Sequence, residues 1–309
     1  MTFGMLAHHY KGQNVAGWFC SRKFNGWRCL WDGGITTNLS LSLVPWYEGK
    51  SKELSTGLWT LGRYSGPKPI FAPRYIIEQL PRGIPLDGEL WHNTDNISIV
   101  KSIAGQKYEK SVQDKRWQNL QYMVFNIKPH CLWSIPEQTN HSVLDFQGTL
   151  NYLKSNNIES PFITLAEQKR LSCTEELPDL ISYFGGEGVM LSNPYARYEL
   201  KRSSNLLKVK KMYETEGQIV RHVEGKGKHS GRLGSIIATL TWDEKVESVY
   251  GGSKDLINKK VYFGVGGFSD EERDWDYVSE HFPIGGSISF SYLGVTPDGI
   301  PVSANLYKE

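Results

Sequence analysis

The chain has 309 residues, of which 39% are hydrophobic and 22% are charged. This composition is typical of a soluble globular protein, and the length is sufficient for two domains with their own cores. The formal net charge is only +2, which gives no indication of a strongly basic nucleic-acid binder. Any contact with nucleic acid must therefore use a local basic strip.

The sequence also argues against several other classes of protein. No apolar run approaches the ~20 residues of a membrane-spanning helix, and the first ten residues lack the pattern of a secretion signal. The four cysteines show neither a C-x-x-C pair nor the spacing of zinc ligands: Cys20, Cys29, Cys131 and Cys173. We therefore expect buried free thiols, no membrane partner and a cytoplasmic location.

The first chemically distinctive element is a turn within residues 21–28. Lys23 lies two residues before Asn25-Gly26, which is a strong turn signal between two strand-like runs. An amine becomes a nucleophile after it loses a proton, and a nearby cation such as Arg28 favours that loss. On these residues alone, a surface hairpin with a solvated lysine is the more common explanation.

Two carboxylates share one face of the strand predicted at residues 84–91. Asp87 and Glu89 point to one side, whereas Leu86 and Leu90 point to the other, because side chains alternate along a strand. The pair either binds a metal ion or sugar hydroxyls, or it simply faces solvent.

An aromatic residue and an acidic residue occupy two further strand-like segments. Phe125 shares a face with apolar neighbours in the predicted strand 123–127, which is the pattern of a core residue. Glu187 precedes the predicted strand 188–191 and would lie at the mouth of a buried strand.

Two lysines alternate with apolar residues near the end of the first half of the chain. Lys208 and Lys210 point to one face, and Leu207 and Val209 point to the other. The apolar face indicates an anchored strand, so the two cations are well placed to bind phosphate groups.

The remaining pattern of the first half mixes short strands with helical periodicity. Helices are predicted at residues 74–80, 112–120, 141–155 and 165–171. This mixture predicts an α+β domain with antiparallel sheets. A polar stretch at 211–217 indicates a domain boundary with a linker near 213–217, so we place the domains at 1–213 and 214–309.

The second domain contains short strands separated by glycines. Strands are predicted at residues 218–224, 234–242, 260–265 and 286–293, and their spacing fits a small OB-fold β-barrel. A loop with Lys226, Lys228 and Arg232 suits contact with backbone phosphates, and a plain hairpin loop explains it equally well.

Together these blocks resemble the motifs of the covalent nucleotidyltransferases, which comprise DNA ligases, RNA ligases and mRNA capping enzymes. Residues 23–28 are similar to the family motif Lys-x-Asp-Gly-x-Arg. Further blocks follow in the order of the family, at Arg63 and at residues 86–91, 122–127, 186–191 and 206–210. Blocks at 224–228, 231–235 and 266–270 are similar to the OB domain of small phage and bacterial ATP-dependent DNA ligases.

The resemblance implies an ATP-dependent DNA ligase with an adenylation domain followed by an OB-fold domain. It implies catalytic roles for Lys23, Lys208 and Lys210, with Lys23 as the nucleophile. It places a further set of residues at the nucleotide: Arg28, Arg63, Glu89, Phe125 and Glu187. Phe125 would stack on the base, and Glu89 and Glu187 would hold Mg²⁺ or Mn²⁺.

The resemblance also implies the reaction and its setting. Lys23 would take AMP from ATP, the AMP would pass to the 5′-phosphate of a nick in duplex DNA, and the 3′-hydroxyl would displace it. Lys226, Lys228 and Arg232 would contact the DNA. We expect a monomer that acts in DNA repair or replication in the cytoplasm of a bacterium or a virus-infected host cell.

The chain departs from the family pattern at several positions. Asn25 replaces the usual Asp, Arg22 replaces a common acid, and Asn126 replaces another. The last nine residues contain one basic residue, Lys308, where the family often has an arginine-rich motif. Slow self-adenylation is therefore expected, and three alternatives stay open: an RNA ligase, a capping-type nucleotidyltransferase, and a non-catalytic nucleic-acid-binding relative.

Overall fold

The computed structural model describes residues 3–61, 66–129, 133, 144–249 and 252–308. The chain divides into two compact units, Met1–Val209 and Lys210–Glu309. Among the described residues, no helix is long and apolar enough to span a membrane.

The larger sheet of the first unit carries one side of the candidate site. Within the described ranges it has six strands in the order β5 (Lys68–Ile70), β4 (Leu58–Thr60), β3 (Trp27–Trp31), β6 (Leu86–His92), β7 (Leu120–Asn126) and β8 (Ile163–Leu165). All neighbours are antiparallel except β7 and β8. The pairing of β3 with β6 places Arg28 opposite Glu89.

The second sheet of this unit carries the other side. Its described strands lie in the order β1 (Leu6–His9), β11 (Arg202–Lys210), β10 (Gly188–Ser192), β2 (Phe19–Arg22) and β9 (Lys169–Arg170). Strand β2 pairs antiparallel with β10 and with β9, so the segment before Lys23 lies between two neighbours.

Five helices cover the sheets of the first unit in the described part of the chain: α1 (Arg74–Ile77), α2 (Ile97–Ala104), α3 (Tyr108–Ser111), α4 (Phe146–Ser155) and α5 (Leu177–Phe184). Leu86 and Leu90 are fully buried in the core beneath α2, which confirms the predicted orientation of β6. The opposite face of β6, with Asp87 and Glu89, is thereby left for the site.

The helix predicted at residues 165–171 is wrong. Residues 163–165 form β8, and Lys169 and Arg170 pair with Cys20 and Phe19 of β2. The apolar residues of this segment have helical spacing, but they belong to strands in two different sheets. Pairing with neighbouring strands therefore overrides the local helical pattern.

The second unit has an antiparallel sheet of its own. Its described strands lie in the order β16 (Lys260–Val265), β13 (Leu233–Thr241), β12 (Tyr213–Glu224), β17 (Ser287–Tyr292) and β18 (Asn305–Leu306). The described part of this unit also contains a two-stranded sheet, β14 (Lys245–Ser248) with β15 (Gly252–Asp255), and one α-helix, α6 (Trp275–His281). The mixed α/β architecture with antiparallel sheets agrees with the sequence prediction.

Residues 213–217 were predicted as a linker, and this is wrong. They form the first part of β12 and pair with β17, from Tyr213 opposite Tyr292 to Gly217 opposite Ile288. Polarity misled the prediction because alternate residues of this strand face solvent, whereas Gly217 and Ile219 are buried.

The cysteines that the structure describes are free, as the sequence predicted. Cys20 and Cys29 are buried, whereas Cys173 is partly exposed, and Cys131 lies outside the described residues. Burial raises the pKa of Cys20 to about 12, so its thiol is unreactive at neutral pH.

Candidate active site

A cavity of about 250 Å³ in the first unit is lined by strands of both sheets. Five of the predicted site residues line it: Lys23, Arg28, Glu89, Phe125 and Lys208. Residues that are distant in sequence therefore meet at one concave surface, which is the expected form of a small-molecule site.

Lys23 follows directly after β2 and is fixed at both its backbone and its side chain. Its backbone N–H donates to the carbonyl of Gly188 at 2.8 Å. Its Nζ forms an ion pair and a hydrogen bond with Glu187. The amine and this carboxylate are thus held together at the cavity, although they are 164 residues apart in sequence.

Glycine at position 26 is required by the packing of the turn after Lys23. A Cβ at this position would lie 2.2 Å from the backbone oxygen of Leu90 and 2.7 Å from Cγ of Glu89. The turn therefore lies directly against β6, and this close approach sets the separation between the lysine turn and the acidic face of β6.

Glu89 lies among charges of both signs. Burial raises the pKa of Glu89 to about 7, Lys23 and Arg28 oppose the rise, and Glu187 and Asp87 add to it. A cation bound beside Glu89 would favour its ionised form. The surroundings of Glu89 therefore suit a cation, either alone or together with a phosphate group.

The acids present fit a magnesium-type ion that is bound mainly through substrate. The described residues contain no group of three or more metal-ligating side chains. Mg²⁺ needs only one or two protein carboxylates when phosphates and water supply the other ligands. Glu89 and Glu187, which interact electrostatically at the cavity, meet that requirement.

Arg28 is held by a buried network that we call the Arg28–Asp87 network. Its Nε and one terminal nitrogen donate to the two oxygens of Asp87 at 2.6 and 2.5 Å. The hydroxyl of Tyr198 donates to the same carboxylate at 2.6 Å, and the backbone of Met5 bonds both Tyr198 and Arg28 at 3.2 Å. Burial would lower the pKa of Arg28, but the charge and hydrogen bonds of Asp87 raise it above its usual range.

The same guanidinium lies 5.0 Å from the centre of the Phe125 ring. Phe125 is half-buried and lines the cavity, so the prediction of a simple core residue from periodicity is wrong. Arg28 therefore contacts an aromatic ring that lines the cavity, where a flat ligand can stack.

Arg22 does not act as a free cation beside Lys23. It forms an ion pair with Asp95 at 3.3 Å and lies over the rings of Phe24 and Trp91. Asp95 also binds the turn, because its carbonyl accepts from the Asn25 side chain at 2.9 Å. Arg22, which replaces a common acid of the family, is therefore neutralised by Asp95.

The other predicted residues are less concentrated. Lys208 lines the cavity on β11. Lys210 is the first residue of the second unit, and Arg63 lies outside the described residues, so both roles stay predictions. In the second unit, Lys226 and Lys228 are exposed, whereas Arg232 forms an ion pair with Asp274 at 2.7 Å. Their contact with DNA also stays a prediction.

Three residues at this site were not predicted from the sequence: Asp95, Tyr198 and Gln168. Asp95 follows β6 in a turn with a positive φ of 54°, and Tyr198 precedes the strand with Lys208. Only the Asx-type turn at residues 93–96 carried a usable local signal. Gln168 fell in the segment that was assigned to a helix.

Comparisons with known proteins agree with this geometry. No family model matches the chain. A DNA ligase of Haemophilus influenzae (strain ATCC 51907 / DSM 11121 / KW20 / Rd) is 27% identical over 311 residues, covering 99% of this chain and 91% of that protein. A solved structure of a Lig E DNA ligase is 27% identical, with a TM-score of 0.65 and coverage of 98% of this chain and 97% of that chain.

The chain is similar to DNA ligases over almost its whole length. This similarity agrees with the family predicted from the motifs. A further solved structure, Pmar-Lig_Pre, has a TM-score of 0.69 at 17% identity. The match covers 99% of the present chain and 67% of the Pmar-Lig_Pre chain, and at this identity it supports the fold alone.

Proposed function

We propose that this protein is a ligase that uses ATP to seal nicks in duplex DNA, with Lys23 as the nucleophile. The observation that carries the proposal is the position of the Lys23 amine. It lies in a cavity with an aromatic ring, an arginine and a second lysine, and it is bonded to Glu187. This arrangement suits a nucleotide whose base lies at Phe125 and whose phosphates reach Lys23 and Lys208.

The first step is an in-line displacement at the α-phosphate of ATP. The neutral amine of Lys23 forms a P–N bond, and the bond to pyrophosphate breaks. Because Glu187 accepts a hydrogen bond from this amine, it is a candidate to receive the proton. Lys208 would neutralise the phosphate charge, and Glu89 and Glu187 would hold Mg²⁺ or Mn²⁺, which supplies further neutralisation.

The next two steps transfer the AMP and join the strands. The 5′-phosphate at the nick displaces Lys23 from AMP, and the 3′-hydroxyl then displaces AMP from the activated 5′-phosphate. Positioning and charge neutralisation carry most of the acceleration in such displacements. The lysine is restored at the end, so one site serves all three steps.

The second unit would contribute DNA contact. Its five-stranded antiparallel sheet supports the proposal of an OB fold, and the exposed Lys226 and Lys228 support phosphate contact. We propose that the first unit is an adenylation domain and the second an OB-fold domain. The boundary then lies at Lys210 and not at 213/214, because Tyr213 already begins β12. We further propose a cytoplasmic monomer.

The test is formation of the lysyl-AMP adduct, measured as the intact mass of the protein after incubation with ATP and magnesium. Wild-type protein should gain one AMP, and Lys23→Ala should gain none. Lys169→Ala is the matched control, because Lys169 lies on neighbouring β9 but directs its amine at the Tyr183 ring, 3.5 Å away. An adduct on Lys23→Ala would remove Lys23 from its role.

Nick sealing then tests the substrate. The adenylated protein should join a nick in duplex DNA and should join a nick in an RNA strand much less efficiently. Equal or better sealing of RNA would instead support the RNA ligase alternative.

A further inference from the structure

Gln168 has an unusual position in the cavity. Its side-chain nitrogen and oxygen are both buried, and neither has a hydrogen-bond partner among the described residues. The residue lines the cavity together with Lys23 and Phe125. Buried polar atoms in native proteins nearly always have partners, so an exception at a cavity marks a group that a bound ligand can pair.

The chain position of Gln168 explains how it reaches the site. Two residues earlier, Ala166 donates its N–H to the carbonyl of Val124, next to Phe125. One residue later, Lys169 pairs with Cys20 on the strand that leads to Lys23. Gln168 therefore lies on a short segment that connects the Phe125 strand with the strand of the nucleophile.

The surroundings of the amide suit a flat base. Phe125 offers a ring face, and Met190 and Leu206 add apolar surface to the same cavity. Apolar walls exclude water, so a polar group that lines the same cavity selects strongly for a complementary ligand atom. A carboxamide offers one acceptor and one donor side by side.

We propose that Gln168 recognises the adenine base of ATP and so sets the nucleotide specificity of the ligase. The amide oxygen accepts from the exocyclic amine of adenine, and the amide nitrogen donates to an adjacent ring nitrogen, as in other glutamine–adenine pairs. Guanine carries a carbonyl oxygen in place of that amine, which would face the amide oxygen. The inference rests on the proposed use of ATP and adds the residue that selects it.

The test compares the binding of three nucleotides by titration calorimetry: ATP, GTP and purine riboside triphosphate, which lacks the exocyclic amine. Wild-type protein should bind ATP about 5- to 100-fold more tightly than either of the others. Gln168→Met should bind all three with similar affinity, somewhat below the wild-type affinity for purine riboside triphosphate, because it also loses the donor to the ring nitrogen. Self-adenylation by this variant should show a raised KM for ATP and a nearly unchanged kcat.

Two further variants separate recognition from structure. Gln168→Glu keeps an acceptor and loses the donor, so it should retain part of the preference for ATP over the analogue. Gln106→Met removes a partly buried amide that is bonded to Asp114 and does not line the cavity. It should leave all three affinities unchanged.

Several results would overturn the proposal. Equal affinity of wild-type protein for ATP and purine riboside triphosphate would do so without any variant. An equal loss for all three nucleotides in Gln168→Met would indicate a structural role, and tight GTP binding that depends on Gln168 would indicate a rotated amide without selectivity. Binding of ATP without adduct formation would contradict the proposed function and leave the recognition by Gln168 intact.

Discussion

Two polar parts of one cavity differ in how their hydrogen bonds are satisfied. In the Arg28–Asp87 network, the Arg28 guanidinium, the Asp87 carboxylate and the Tyr198 hydroxyl have protein partners at 2.5 to 3.2 Å. The amide of Gln168 has none among the described residues. The paired part is complete without ligand and gives the site its shape, whereas the unpaired part is completed when a ligand binds.

The buried amine of Lys128 is a third polar group, and it lies where no ligand is expected. The amine of Lys128 lies over the rings of Phe3 and Trp133, at 3.2 and 4.0 Å, without a described hydrogen-bond partner. Burial lowers the pKa of Lys128 to about 7, and the charge of Asp87 opposes this shift. An amine can relieve its desolvation by losing a proton, but a carboxamide cannot.

The largest expected effect comes from breaking the paired part. Asp87→Asn removes the negative charge and leaves the Arg28 guanidinium largely buried without the carboxylate to which it is hydrogen-bonded. The free energy of unfolding should fall by about 3–5 kcal/mol. Denaturant unfolding measures the change, and adduct formation should fall with it because Arg28 loses its position.

Asp32→Asn is the control for that change. Asp32 is also fully buried, but it accepts from Thr36, Trp59 and Gly34, and a cation is absent from these described partners. Its replacement should cost only about 1–2 kcal/mol. Equal losses in the two variants would show that the ion pair adds nothing to ordinary hydrogen bonding.

The second effect tests the unpaired lysine through pH. In the unfolded chain Lys128 has its ordinary pKa of 10.5, and in the folded chain about 7. Between these values the unfolded state binds more protons, so wild-type stability should rise with pH. Lys128→Met cannot titrate and should be more stable than wild type at pH 6, on the order of a few kcal/mol, with the margin vanishing near pH 10.

Unfolding curves at pH 6, 8 and 10 measure this margin. Lys169→Met is the comparison, because the Lys169 amine also lies over an aromatic ring but its side chain is only partly buried. Its removal should change stability by less than about 1 kcal/mol. A margin for Lys128→Met that does not depend on pH would contradict the assignment.

The smallest expected effect comes from Tyr198, which belongs to the Arg28–Asp87 network. Tyr198→Phe removes one hydroxyl that supports Asp87 and should cost about 1–2 kcal/mol of unfolding free energy. It should also raise the KM for ATP several-fold, since Arg28 and Phe125 lose support. Fluorescence-monitored unfolding and adenylation kinetics measure the two quantities.

Tyr122→Phe is the matched change outside the cavity. Its buried hydroxyl donates to the backbone carbonyls of Cys29 and Leu86, at 2.9 and 3.2 Å. Its loss should reduce stability by a similar amount with an unchanged KM. If both variants raise the KM alike, the effect of Tyr198 is on general stability and not on the site.

The sequence predicted those parts of the site that depend on alternation along strands. Leu86 and Leu90 identified the buried face of β6, which left Asp87 and Glu89 on the other face, and Glu187 was expected next to a buried strand. The order of the motifs then brought Lys23 and Lys208 to the same cavity. In each case a local rule and a family pattern agreed.

The parts that failed depend on contacts between distant residues. The ion pair of Arg22 with Asp95 joins residues that are 73 positions apart, and no periodicity reports it. The position of Gln168 follows from two sheets that divide one apolar pattern between them. A sequence shows which side chains share a face, but it does not show which groups are left without a partner after folding.

The close approach at Gly26 has a consequence for variation in this protein. The backbone of Leu90 occupies the place where any larger residue would put its first side-chain atom. The backbone of the Lys23 turn thus contacts the backbone of β6 directly, with no side chain between them. Substitutions elsewhere in the interior therefore cannot gradually change the distance between these two backbones. Substitutions of the side chains that project into the cavity can change the reactivity of the site. The distance between the two supporting backbones stays constant.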